Sequence, residues 1–184
     1  MKTKKIVISG SAGTGKTSVI NALNAKGYYC FEEVIRSLTS EVTKEVDVKN
    51  QVSNPIVFAK DPLDFNLRLL KGRINQFKQG SLLDETLCFF DRGIPDVLAY
   101  MDFFNQKYDV LFTDACSEHV YTNVFILPPW KTIYKTDSGR FESFDEVLKI
   151  HDHLETTYKK FGYNVMEVPF GTVAERTDFI LNNI

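Results

Sequence analysis

Five short apolar runs, each closed by a polar or turn residue, alternate along the chain with stretches whose apolar positions recur every three or four residues. The runs cover residues 5–9, 28–31, 87–91, 121–127 and 164–169. Each is short, continuously apolar and bounded by turn chemistry, which predicts a strand buried on both faces. Helical spacing follows the first run through Val19, Ile20 and Leu23 until Lys26-Gly27 supplies a stop. Asp61-Pro62 gives an N-cap with proline at the first helical position, and Leu63, Phe65, Leu67, Leu69, Leu70, Ile74 and Phe77 carry a helix to about Gln79-Gly80. Gly72 inside it predicts a close helix contact or a kink, since glycine there costs about 1 kcal/mol against alanine. Pro95 opens another helix through Val97, Leu98, Tyr100, Met101, Phe103 and Phe104, whose aromatic face reads as core. Two capping boxes, Ser143 with Glu146 and Thr172 with Glu175, start helices ending before Gly162 and near Ile184. Residues 41–60 are mixed and weakly periodic, a loop or short helical piece with a turn at Asn54-Pro55.

Strands alternating with helices of this length predict an α/β fold, a five-stranded parallel sheet with helices on both faces. A chain of 184 residues suits one domain spanning 1–184.

The turn after the first run changes the picture from architecture to chemistry. Gly10, Ser11, Ala12, Gly13, Thr14, Gly15, Lys16 and Thr17 form a complete Walker A pattern in strand, loop, helix context, continuing into Ser18. Its glycines let backbone N–H groups approach a polyphosphate at a helix N-terminus. Lys16 is the expected bridge between β- and γ-phosphates, and the Thr17 hydroxyl an expected Mg²⁺ ligand, which makes Mg²⁺ and ATP the expected cofactors. The run ending in Asp91 reads as a Walker B strand whose carboxylate engages the magnesium shell.

Charged residues at the carboxyl ends of parallel strands face the ligand side of such a sheet. Glu32-Glu33 ends the second run, with either carboxylate placed to face a pocket. Glu33 and Arg36 are three apart on one helical face, a spacing that also fits a surface ion pair. Arg92 follows Asp91. The fourth run stops at Pro128-Pro129-Trp130, and residues 130–145 hold Lys131, Lys135 and Arg140, either a lid over phosphates or a solvated loop.

Composition excludes more than it selects. A net charge of −2 gives no global pull toward nucleic acid, and 43% hydrophobic with 25% charged residues is ordinary for a globular protein. No run has the length of a membrane span, and the basic start leads into a run too short for a signal peptide. Cys30, Cys88 and Cys116, odd in number and widely spaced, read as reduced core thiols of a cytoplasmic protein. His151 and His153 diverge on their helix, with no third ligand beside them to make a metal site.

The Walker loop, Glu33-x-x-Arg36, Asp91-Arg92-Gly93, Leu127-Pro128-Pro129-Trp130 and the segment from Thr136 to Arg140 together resemble a small AAA-type group of P-loop ATPases and kinases. The ribosylnicotinamide kinase domain is similar to this group, and nucleoside and thymidylate kinases are so more distantly. The resemblance runs nearly end to end. It implies strand order 2-3-1-4-5, Glu33 as general base or acceptor-positioning carboxylate, and Arg36 and Arg92 holding the acceptor or its phosphates. It also implies Arg140, assisted by Lys135, as the lid cation meeting charge on the transferred group, and Asp91 ordering the magnesium waters. The lid carries one arginine where deoxynucleoside kinases usually show several.

The function expected is a Mg·ATP-dependent phosphotransferase acting on a small hydroxyl or phosphate acceptor, a nucleoside or nucleotide among them, as monomer or homodimer. The competing expectation is a slow ATPase or GTPase-like module that signals to a partner protein; the chain has no Asn-Lys-x-Asp guanine motif.

Overall fold

The computed structural model describes residues 3–35, 61–134 and 142–184. Arg36, Lys135 and Arg140, with the reading of 41–60, lie outside the described residues. Five strands form one sheet: β1 (Lys4–Ser9), β2 (Tyr29–Phe31), β3 (Leu87–Asp91), β4 (Asn123–Ile126) and β5 (Val165–Glu167). The order is β2-β3-β1-β4-β5 and every pair is parallel. β1 is therefore central, and register sets Ile8 opposite both Asp91 and Phe125, so the Walker loop and the Asp91 carboxylate leave the sheet side by side.

Alternation within each strand divides the core between the two faces. Ile6, Ile8, Phe89 and Phe125 point to the side covered by α1 (Lys16–Ala25) and α6 (Val173–Asn182), where they meet Val19, Ile20, Leu23 and Ile180. Val7, Cys88, Phe90 and Val124 point to the other side, under α2 (Pro62–Gly80), α3 (Pro95–Phe103), α4 (Val110–Glu118) and α5 (Phe144–Lys160). Both capping boxes are formed, and Asp61 caps α2 through the amides of Leu63 and Asp64.

Gly72 marks a close contact: a Cβ there would stand 2.5 Å from Cγ1 of Val34. On α3 the deepest positions are Val97, Leu98 and Met101, while Tyr100 and Phe103 are half-buried at the edge of a smaller cluster. The helix α4 is absent from the sequence reading. It buries Phe112, Ala115 and Cys116 at helical spacing but leaves Val110 and Leu111 exposed, so the apolar run before that stripe hides its period. All three cysteines are free thiols, Cys88 and Cys116 buried and Cys30 half-buried.

Candidate nucleotide and acceptor site

The loop from Gly10 to Gly15 turns the chain from β1 into α1, and its three glycines all take positive φ, 142°, 75° and 85° for Gly10, Gly13 and Gly15. A side chain at Gly10 would lie 2.6 Å from the Leu127 carbonyl, so the loop can pack on the end of β4 only with glycine there. Gly15 occupies the N-cap of α1 without a side chain to satisfy the first amides, and no acidic residue sits in the first turn. That leaves the positive end of the helix dipole available to an anion. The buried Ser11 hydroxyl has no hydrogen-bond partner among the described residues, while the Ser11 carbonyl accepts from Thr14 Oγ1 at 3.0 Å and from Lys16 Nζ at 3.1 Å. Lys16 is itself buried. Burial, reinforced by the Arg92 charge, pushes its ammonium down to about 8 against the opposing pull of Asp91, Glu33 and Asp96. A buried cation folded onto a carbonyl, glycines where side chains would intrude and an uncapped helix start fit a polyphosphate. Thr17 on the first turn of α1 and Asp91 on the tip of β3 carry the oxygens that could hold Mg²⁺.

Arg92 connects this cradle to the second carboxylate. It adopts φ 73°, a left-handed conformation unusual for arginine, immediately after β3. Its Nε donates to Glu33 Oε1 at 2.7 Å, and its Nη1 to the Gly10 carbonyl at 3.0 Å and to Asp96 Oδ1 at 3.2 Å. The guanidinium also lies over the Tyr100 ring, 5.3 Å from its centroid. Burial would raise the Glu33 carboxyl, but Arg92 and Lys16 outweigh it and hold the group ionised, well below the ordinary carboxylate range. Of the two neighbouring glutamates, Glu33 is the one that converges with Lys16 and Arg92. Glu32 is exposed, and its carbonyl accepts from Gln76 Nε2 at 2.8 Å.

The hub that holds Arg92 was not read from the sequence. Asp96, fully buried, accepts from Ser9 Oγ at 2.7 Å, from the Gly93 amide at 2.9 Å, from Arg92 Nη1 and from the Tyr158 hydroxyl of α5. Arg73 of α2, also buried, donates to the Gly93 carbonyl at 2.7 Å. Asp96 does carry a local signal, standing four residues after Arg92 in the first turn of a helix opened by proline. Arg176 of α6 is a further addition: buried, it donates through Nη2 to the Thr14 carbonyl at 2.8 Å. An arginine four residues before Ile180, on the helix face that buries Thr177 and Ile180, is the signal that points to it. On either side of residues 135–141, which lie outside the described residues, the Tyr134 hydroxyl donates to the Glu142 carbonyl and its ring packs on Phe144.

A family model described as AAA domain matches residues 5–176. A nucleotide-binding protein of Pseudomonas fluorescens (strain SBW25) is 28% identical over 80 residues, 44% of this chain and 26% of its own length. The dephospho-CoA kinase of Rickettsia prowazekii (strain Madrid E) is 25% identical over 127 residues, covering 62% of this chain and 66% of the kinase. Among solved structures, the NadR protein in complex with NR superposes with TM-score 0.70 at 16% identity, over 98% of this chain and 49% of that one. Deoxyadenosine kinase from M. mycoides gives 0.64 at 19% identity, over 97% of both chains. Thymidylate kinase from Candida albicans gives 0.70 at 16%, over 100% of this chain and 91% of that one. At these identities the structural likeness shows the fold alone. The chain thus spans about a quarter of one curated relative and about half of one structural neighbour. It is a P-loop nucleotide-binding domain with the fold of nucleoside and nucleotide kinases. No helix among the described residues is long and apolar enough to cross a membrane.

Proposed function

This chain belongs to the AAA domain family, and on that premise we propose that it is a Mg·ATP-dependent phosphotransferase acting on a small-molecule hydroxyl or phosphate, with nucleosides and nucleotides as the acceptor class. The observation that carries the reading is the double engagement of Arg92, which ties the Gly10 carbonyl of the phosphate loop to the Glu33 carboxylate. A domain that only binds or slowly hydrolyses nucleotide has no need of a second, ionised carboxylate geared to its phosphate loop. A transferase has, because transfer is mostly positioning and electrostatics. The likeness to nucleoside and thymidylate kinases and to a dephospho-CoA kinase supports the acceptor class.

When bound, Mg·ATP supplies the phosphoryl group. Lys16 and the amides from Gly13 to Ser18 hold its phosphates, and Thr17 with Asp91 hold the metal. Glu33, kept ionised by Arg92, receives a hydrogen bond from the acceptor hydroxyl and aligns it. A loose transition state asks little proton removal of this base before bond formation, so a depressed carboxyl suits an orienting role. Arg36 and Arg92 bind the acceptor side, and Arg140 with Lys135 meets the charge on the transferred group.

The test is ADP release with a panel of nucleosides, nucleoside monophosphates and dephospho-CoA. At least one acceptor should raise turnover above the rate with water, and Glu33→Gln should lower that increment while leaving Mg·ATP affinity near wild type. No stimulation by any acceptor would reject the transferase reading in favour of a nucleotide-dependent partner switch.

A further inference from the structure

Arg176 lies 162 residues beyond Thr14 of the Walker loop yet touches the loop on two sides. Its Nη2 donates to the Thr14 carbonyl at 2.8 Å, and its Nη1 stands 2.9 Å from the point a Cβ on Gly15 would occupy. The side chain is 3% exposed, and its Nε has no hydrogen-bond partner among the described residues. A buried guanidinium of this kind costs desolvation energy, and a carboxylate normally repays it. Here the hydrogen bond is to a peptide carbonyl, and burial alone lowers the guanidinium from its ordinary value.

Peptide geometry says what that bond does. The Thr14–Gly15 peptide is trans and planar, so the Thr14 carbonyl and the Gly15 N–H point in opposite directions. A donor that fixes the carbonyl from the α6 side therefore turns the Gly15 N–H away from α6. The Gly15 carbonyl is separately engaged by the Val19 amide in the first turn of α1. With both flanking carbonyls held, a glycine whose φ of 85° is otherwise unconstrained by a side chain keeps one orientation of its amide.

We propose that Arg176 is a positioning residue of the nucleotide site: by clamping the Thr14 carbonyl from outside the loop it aims the Gly15 N–H into the phosphate cradle before nucleotide arrives. The proposal rests on the nucleotide-binding reading and adds to it the residue that preorganises one of its donors. Without the clamp, part of the binding energy goes into ordering the loop. The clamp's own foundation is independent of it. The helix α6 is seated by Ile180 in the core, and its start is fixed by the Thr172–Glu175 capping box.

The test uses the whole chain with Mg·ADP and Mg·ATP as probes, in wild type, Arg176→Met and Arg176→Lys. Calorimetric affinity for both nucleotides should fall about tenfold in Arg176→Met, the order expected for losing one charge-assisted hydrogen bond, and less in Arg176→Lys, which keeps a donor and the charge. In the nucleotide-free proteins the Gly15 amide resonance should shift, and its hydrogen exchange quicken, in the same order. A merely structural role would lower the melting temperature without moving that amide selectively. Affinities within about twofold of wild type in both variants, or a Gly15 amide that does not move, would overturn the proposal. Should Arg176→Met not fold, Arg176→Lys decides by the same two readings. A wild type that takes up neither nucleotide would instead reject the nucleotide-binding reading, and the Gly15 amide in nucleotide-free protein would still report on the clamp.

Discussion

Replacing Asp96 by asparagine should destabilise the domain more than any other change of one functional group at the site. The carboxylate is fully buried and is the common acceptor for Ser9, the Gly93 amide, Arg92 and Tyr158, with Arg73 close by. Burial raises its pKa, but Arg73, Arg92 and the hydroxyls of Tyr158 and Ser9 overcome that and hold it below the ordinary carboxyl value. Asparagine removes the charge that balances two buried arginines and turns an NH₂ group toward donors, and breaking a buried pair in this way costs about 3–5 kcal/mol. Tyr158→Phe leaves the carboxylate and its other donors in place, so it should cost about 1.5–3 kcal/mol. Against a total stability of roughly 5–15 kcal/mol the first change is severe and the second tolerable. Denaturant unfolding at neutral pH measures both. Because the folded pKa is depressed, the Asp96 contribution is fully present above the unfolded value of about 3.9 and is lost as pH falls through the lower folded value. The gap between wild type and Asp96→Asn should therefore narrow on acidification below about pH 4. An Asp96→Asn protein within about 1 kcal/mol of wild type at neutral pH, or a gap unchanged by acid, would refute the reasoning.

Other outcomes follow from the same contacts. Gly72→Ala should destabilise by about 1–3 kcal/mol despite alanine's better helix propensity, because its Cβ would meet Val34 Cγ1 at 2.5 Å; a stabilised variant in thermal unfolding would contradict the packing. The affinity for Mg·ATP should weaken as pH rises through about 8, where the free protein's Lys16 loses its proton and binding must take one up. A pH-independent dissociation constant across that range would show that Lys16 charge is not used.

What could be read from the sequence was what short stretches decide. Residues 87–91 are a strand by composition alone, the two capping boxes fix the starts of α5 and α6 within four residues each, and the Walker pattern carries its own geometry. Strand order followed from resemblance and agrees with the sheet. The helix α4 escaped because two of its five apolar residues, Val110 and Leu111, face solvent. The Asp96 hub and the Arg176 clamp escaped for a different reason: their bonds join residues 87, 62 and 162 positions apart, and no local pattern specifies which distant side chain fills a buried vacancy. The choice between Glu32 and Glu33 likewise needed the position of Arg92.

Isothermal titration of the protein with ATP in the presence of magnesium tests the central claim most directly, that the loop from Gly10 to Thr17 holds the phosphates of a nucleotide. Saturable binding at a single site, abolished by Lys16→Ala in a protein that remains folded, is the result predicted. Absence of any heat of binding, or undiminished binding by Lys16→Ala, would contradict it.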